Sequence, residues 1–456
     1  MNSHKPFIYC IILFFCTFSF NSLASQDSIP KSYCPELLKL AEGGNPEAQN
    51  NLGISFINGY GVSKNETEGF KWIKEAAIQN YVKAQKNLGY CYYDGIGISQ
   101  DFSQAKKWFQ RAANQGNAMA QYYLGACYYY GQGIEKDDKE AVIWFQKAAN
   151  QGNAEAQYYL GACYYYGQRV AKDDKEAVIW FRKAAEQGNA DAQYSLGACY
   201  YDGIGIERNY NKSFTWFLKA AEQGNVSAQY ILGTCFYDGV GVERNYNESF
   251  KWFSKAAEQE NINAITYLGL SYLNGEGVEV DTTKGIKLIK ESAQAGNTFG
   301  EYNLALCYYE GKGVKKNISE AIKLFERAAK RNNYEAQNRL GYIYFKGEGV
   351  TKNYFQAVKW WKLAAEEGKI PEAQCRLASC YENGYGVAKD LDTALDWYKK
   401  AADQGSSEGK YNYERLLKEK EEKKIVYFIG GIVIIILFFG IKKILKKRKH
   451  NQSTNS

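Results

Sequence analysis

The chain is 456 residues long, with 57 Lys+Arg against 50 Asp+Glu, a formal net charge of +7, 45% hydrophobic residues and 16% aromatic. That apolar content can bury a core, which excludes wholesale disorder. The only histidines, His4 and His450, stand near the two ends; this excludes Ser-His-Asp and Cys-His nucleophile systems, His-containing zinc sites and H-E-x-x-H motifs from everything between them.

Residues 7–20 form an almost unbroken apolar run behind Lys5, and Ser22-Leu23-Ala24 puts small residues at both cleavage-defining positions. This layout predicts a secretory signal peptide over 1–24, cut after Ala24, with an uncleaved N-terminal anchor as the other reading. Residues 25–44 follow as an N-terminal cap, because 36–45 resembles only the second half of the unit that comes next.

From 45 to 405 one unit recurs ten times. Its marker is a Leu-Gly pair at Leu52, Leu88, Leu124, Leu160, Leu196, Leu232, Leu268, Leu304, Leu340 and Leu377, stepping by 36 residues eight times and then by 37, where Ile370-Pro371 adds one. Ala305 and Ala378 replace the glycine in the eighth and tenth copies. Each copy predicts two helices. In the third, residues 118–130 carry apolar and aromatic side chains at helical spacing. Gly131-Gln132-Gly133 then ends the helix, since glycine readily takes the left-handed conformation. An Asx residue opens the second helix in every copy: Asn65, Asp101, Asp137, Asp173, Asn209, Asn245, Asp281, Asn317, Asn353 and Asp390. Its side-chain oxygen is expected to cap the first turn. Glu or Gln three residues on, in seven of the ten copies, makes a capping-box pattern. The second helix runs through Ala141, Trp144 and Ala148-Ala149. Such a pair cannot bury its apolar face alone, so the copies are expected to stack as an all-α solenoid. Arg169 replaces the second loop glycine of the fourth copy and predicts a locally altered turn.

Residues 406–424 read as a C-terminal capping helix and charged linker. Residues 425–441, IVYFIGGIVIIILFFGI, hold 17 residues without a charge, the low end of a membrane-spanning helix at about 1.5 Å per residue. Lys442-Lys443 and Lys446-Lys447-Arg448-Lys449 follow, and the positive-inside rule places the tail 442–456 in the cytoplasm with the repeats outside it. Lys5 and these six basic residues account for the whole +7, leaving 50 basic against 50 acidic residues over 25–441. The charge is therefore a topology signal, and nucleic acid is not an expected partner.

Ala120-Gln121-Tyr122-Tyr123-Leu124-Gly125, with Tyr128, Gly131-x-Gly133, Ala141, Trp144 and Lys147-Ala148-Ala149-x-x-Gly152-Asn153, resembles the Sel-1-like repeat (SLR), a relative of the tetratricopeptide repeat. The resemblance recurs in register over the ten copies. It implies a right-handed α/α superhelix that serves as a non-enzymatic protein-binding scaffold, its first helices lining a concave groove, with no cofactor and no metal. Some bacterial secreted members clamp each helix pair with a disulfide, and their second helix ends in Lys-Ala-Cys; here it ends in Lys-Ala-Ala, so that bridge is missing. Cys91, Cys127, Cys163, Cys199, Cys235, Cys307 and Cys380 instead sit three residues after the marker leucine. Equivalent positions on stacked helices lie roughly 8–10 Å apart, beyond the roughly 7 Å Cα limit for a bridge. These cysteines are expected as free core side chains. Nothing in the sequence pairs Cys34 or Cys375.

The buried first-helix positions are expected to be the Ala-Gln pair before the leucine and the aromatic four residues after it, such as Tyr128. Positions two before, two after and five after the leucine fall on the opposite stripe, within about 60° of each other. They carry Tyr122, Ala126 and Tyr129; Tyr158, Ala162 and Tyr165; Tyr194, Ala198 and Tyr201; Tyr230, Thr234 and Tyr237; and Tyr302, Leu306 and Tyr309. These tyrosines are the candidate partner-binding residues, since tyrosine offers a large apolar face and a hydroxyl at low entropy cost. Stacking between repeats is the other use of the same rings. Asp202, Asp238 and Glu310 beside them favour a basic or amide-rich partner. The Gly-x-Gly-Val motifs follow helices, not strands, and are not phosphate loops.

The expected function is a membrane-anchored interaction scaffold binding a protein or peptide partner, in the bacterial inner membrane with a periplasmic domain. The alternatives are an endoplasmic-reticulum luminal adaptor in protein quality control, a secreted virulence factor engaging host proteins, and a cell-wall hydrolase.

Overall fold

The computed structural model describes residues 35–453, without the side chains of 426–428, 430, 431 and 444–453. All elements among them are helices, and they form two compact units that divide between Asn261 and Ile262. The N-terminal unit holds a short helix, Pro35–Glu42, and six helix pairs; the C-terminal unit holds four pairs and a long helix, Ser407–Ser453. The signal peptide expected over 1–24 and Cys34 lie outside the described residues.

The third pair shows how the sequence makes the unit. Its first helix is Ala118–Tyr130 and its second Asp138–Asn150. Gly131 ends the first at φ 71°, its N–H donating to the Cys127 carbonyl. Asp137 opens the second and accepts from the N–H groups of Lys139 and Glu140. All ten predicted Asx residues cap in this way. The reciprocal arm of a capping box has no donor left to engage. Each cap N–H is already bonded across the turn to the carbonyl of the first-helix aromatic, Asp137 to Tyr128 and Asn65 to Phe56 among them. The first helices have caps of their own, such as Asn117 and Asn153, each accepting from an N–H three residues on.

Arg169 corrects one expectation. The turn is not altered: Arg169 takes φ 59°, close to the 66–76° of the glycines at this position in the other copies. A side chain in that region is strained by roughly 1–2 kcal/mol. Arg169→Gly is therefore expected to stabilise the N-terminal unit by about 1 kcal/mol, read as a higher urea midpoint at unchanged slope.

The marker glycine lets the two helices of a pair close on each other. A Cβ on Gly125 would lie 2.8 Å from the Phe145 ring, and one on Gly53 would lie 2.7 Å from the Gly69 carbonyl. The alanine before the leucine in nine of the ten copies, the leucine itself and one large residue of the second helix, Phe or Ile in the first eight copies and Trp361 and Tyr398 in the last two, fill the core. The aromatic four after the leucine is shallower than expected: of Tyr92, Tyr128, Tyr164 and Tyr200, only Tyr200 is buried. The predicted core cysteines are buried and free, and so is Cys375. Burial pushes the Cys127 and Cys199 thiols up to about 12, which leaves them unreactive.

A polar relay ties each pair to the one before it. In the N-terminal unit Gln85, Gln121, Gln157, Gln193 and Gln229 each donate to a carbonyl at the end of the preceding second helix. Each accepts in turn from a glutamine thirty residues on, Gln115, Gln151, Gln187, Gln223 or Gln259, at 2.7–2.8 Å. In the C-terminal unit the eighth copy swaps this pair for charges: buried Glu301 faces Arg327 at 2.6 Å and Arg331 at 3.7 Å.

In each unit a first helix touches the next one, Pro46–Asn58 against Val82–Asp94 and Ile262–Asn274 against Thr298–Glu310, and rings bridge others, Tyr90 to Tyr123 and Tyr122 to Tyr159. No two successive second helices come together to the same extent. The stack in each unit therefore curves with its first helices on the inside.

The long helix Ser407–Ser453 departs from the expected cap and linker, because it runs on without a break. Arg415–Glu419 at 3.0 Å and Lys418–Glu422 at 4.0 Å, each i,i+4, support helix through the charged stretch. Among the described residues no helix is long and apolar enough to cross a membrane. The segment 425–441 expected to do so falls partly on residues whose side chains are not described.

Candidate functional site

The ten candidate tyrosines line the inner side of the first helices, and each has a packing role. Those two before the leucine lean on the phenylalanine of their own second helix: Tyr122 on Phe145 at 6.2 Å, Tyr158 on Phe181 at 6.0 Å, Tyr194 on Phe217 at 5.7 Å, Tyr230 on Phe253 at 6.1 Å and Tyr302 on Phe325 at 5.8 Å. Tyr122 is 3% exposed and Tyr194 6%, so little of either ring is left for a partner, while Tyr158, Tyr230 and Tyr302 are half-buried. Those five after the leucine reach forward. Tyr129 donates to Gln168 in the next turn, and Tyr309 to Glu348. Tyr165 meets Phe181 at 6.5 Å, and Tyr201 and Tyr237 pack edge-on against Tyr210 and Tyr246. All five are half-buried.

Sequence reasoning missed the rings next to these. Tyr123 stacks at 4.8 Å on Phe109 of the preceding pair, and Tyr159 at 5.1 Å on Phe145. Tyr130 and Tyr159 join hydroxyls at 2.9 Å. In the second copy Tyr90 and Tyr93 take up the same face. The signal for Tyr123, Tyr130 and Tyr159 was the unbroken tyrosine pairs of the sequence, which a single helical stripe does not capture, whereas Tyr90 and Tyr93 stand two and five after Leu88, on the stripe itself.

Burial raises the hydroxyl pKa of Tyr122, Tyr123, Tyr129, Tyr165, Tyr201, Tyr302 and Tyr309, with Tyr129 and Tyr201 pushed up to about 12. Nearby carboxylates add to the rise: Glu155 acts on Tyr122 and Tyr123, Asp202 on Tyr165 and Tyr201, and Asp238 on Tyr201. The hydroxyls stay protonated donors at neutral pH. In the C-terminal unit the field is mixed, because Glu335 raises Tyr302 while Arg339 lowers it. An open cleft beside Met119, Gln151, Asn153, Glu155 and Gln187 runs along the starts of the first helices in the third to fifth copies. Among the described residues no three His, Cys, Asp or Glu side chains are grouped to hold a metal ion. The geometry offers aromatic faces, hydroxyl donors and carboxylates in rows. It suits contact with a chain laid along it.

The Sel1 repeat family matches the chain at 46–81, 82–117, 118–153, 154–189, 190–225, 226–261, 262–297, 298–333, 335–369 and 371–406. Among solved structures, one similar protein is c5321, described as a protective antigen present in uropathogenic Escherichia coli strains and displaying an SLR fold. It is 33% identical over 84% of this chain and 90% of its own, with a TM-score of 0.60. A Sel1 repeat protein from Oxalobacter formigenes is 30% identical over 68% of this chain and 90% of its own, with a TM-score of 0.46. No curated protein matches. Ten successive matches, in the register set by the capped helix pairs, place the chain in the Sel1 repeat family.

Proposed function

We propose that the chain is a non-enzymatic, membrane-anchored scaffold that holds a protein or peptide partner against the inner side of its first helices, in repeats that wind as a right-handed α/α superhelix. The observation that carries this reading is the row of half-buried tyrosines and carboxylates repeated on the concave side of each stack. Core packing explains the buried part of these rings and leaves their exposed edges available, as expected of amphipathic contact residues. The anchoring part rests on sequence: a signal peptide over 1–24, a spanning helix over 425–441 and a basic cytoplasmic tail over 442–456. Exposure supports it, since Ile434, Ile436, Phe438 and Phe439 stand 63–68% exposed on the long helix. The similar c5321 is an Escherichia coli protein, which favours the bacterial inner membrane with the repeats in the periplasm.

A photo-crosslinking amino acid placed at Tyr165 in the native membrane tests the scaffold reading. The expected result is one dominant partner captured from Tyr165 and none from Glu186, which is exposed on a second helix. Equal capture from both positions would sink it.

A further inference from the structure

The inner face of the N-terminal unit has a sign. Positions five before and six after the marker leucine lie on the same side of the first helix as the tyrosines. They carry Asp94, Glu155, Asp191, Asp202 and Asp238, whereas the unit's cations on this stripe, Lys83 and Lys86, are confined to the second copy. The charged side chains acting on the hydroxyls of Tyr122, Tyr123, Tyr165 and Tyr201 are carboxylates throughout. In the C-terminal unit Arg339 sits against both Tyr302 and Tyr309. The acidic character is therefore local, in a chain whose 25–441 stretch is neutral overall.

Two of these carboxylates, Asp94 and Asp191, gain no stability by ionising. Burial holds the Asp94 and Asp191 carboxyls above the usual carboxylate range, with a bond from Tyr90 and one from Asn225 opposing the shift. A carboxyl raised in the folded state binds its proton more tightly there than in the unfolded chain. Its ionisation as pH rises through the unfolded and then the folded pKa therefore costs stability. Asp191 is solvent-exposed nonetheless. Protein crowding around a wet side chain is what a concave wall produces.

The protein already holds lysines with this chemistry. Lys136 lies 5.3 Å from the Tyr129 ring centre and 3.4 Å from Asp138, and Lys172 lies 5.7 Å from the Tyr165 ring centre and 3.4 Å from Asp174. Spacing adds a register. Touching first helices lie about 10 Å apart, and three residues of extended chain cover about the same length at roughly 3.3 Å each.

We propose that this face takes an extended segment of a partner protein with a lysine or arginine about every third residue, its cations set against the tyrosine rings of successive repeats and the carboxylates that flank them in the second, fourth, fifth and sixth copies. This rests on the scaffold reading above and names the partner's chemistry.

The test is fluorescence anisotropy on the full chain in detergent. The probes are three labelled peptides of equal length: repeated Lys-Ser-Ser, repeated Glu-Ser-Ser, and the same lysines gathered in one block. The periodic lysine peptide is expected to bind about tenfold tighter than the glutamate peptide, and tighter than the block. The combined variant Asp94→Asn, Glu155→Gln, Asp202→Asn, Asp238→Asn is expected to lose about tenfold in affinity while keeping the parent's helical circular dichroism. A control variant with Glu186, Glu222, Glu243 and Glu258 changed to Gln, all exposed away from this face, should bind as the parent does. Equal binding of the glutamate peptide, or an equal loss in the control variant, would overturn the inference. A partner captured at Tyr165 through a segment without basic residues would overturn it too, and would leave the scaffold reading standing.

Discussion

Phe145→Ala is expected to destabilise the N-terminal unit by about 4 kcal/mol, within the range for emptying a phenylalanine site in a closed core. The ring is fully buried and stacked on Tyr159, with Tyr122 and Tyr129 leaning on it. Three aromatic neighbours on two successive pairs lose their contact surface together. Repeats couple only to neighbours, so the loss should appear in urea unfolding as an early phase confined to the third and fourth copies. Gly125 supplies a second measurement. Alone, Gly125→Ala pushes a methyl to within 2.8 Å of the Phe145 ring and should cost about 1–3 kcal/mol. Combined with Phe145→Ala, the methyl enters the vacated space and its cost should vanish. Additive losses in that cycle would show that the leucine-glycine marker has another role than admitting the ring.

The second large effect concerns the charged version of the inter-repeat relay. Changing both Arg327 and Arg331 to alanine is expected to destabilise the C-terminal unit by about 3 kcal/mol, because a buried carboxylate is left without a countercharge. Glu301 is 1% exposed at its side chain, and it cannot donate to a preceding carbonyl as the glutamines elsewhere do. Both arginines are more than half exposed, so water recovers part of the loss and keeps it from being larger. Adding Glu301→Gln to the double variant should restore most of the stability. Chemical denaturation of the single, double and triple variants reads this directly, and a triple variant no better than the double would show that the charge was not the cause.

The parts of the fold legible in the sequence are those set by local chemistry repeated in phase. Leucine-glycine register, Asx caps and left-handed turn glycines each act within a few residues, and ten copies average out exceptions such as Arg169. The cysteines were legible for the same reason, since one phase on stacked helices fixes their distance from one another. Partner choice across the turn was not. Glutamines thirty residues apart recur with the same period as everything else, and the sequence does not say which of them bond. The capping box failed on the same point: the reciprocal bond required a free N–H, and a carbonyl nine residues earlier had taken it. For the candidate site, helical phase gave the tyrosines a common side of the helix but no depth. Tyr122 and Tyr158 occupy the same phase, yet one is buried and the other half-buried, because packing between neighbouring copies decides how far a ring sinks.

The unbroken helix that leaves the last repeat has a mechanical meaning. It is pinned to the tenth copy by Leu416 in the core and by Arg415 bonded to Glu382 at 2.8 Å. It then reaches the apolar stretch at 425 with no glycine or proline between. If that stretch is embedded as proposed, the C-terminal unit stands on a mast and not on a tether. Its height and heading above the bilayer are then set by helix phase, so that one residue inserted between 418 and 424 lifts it by about 1.5 Å and swings it through about 100°.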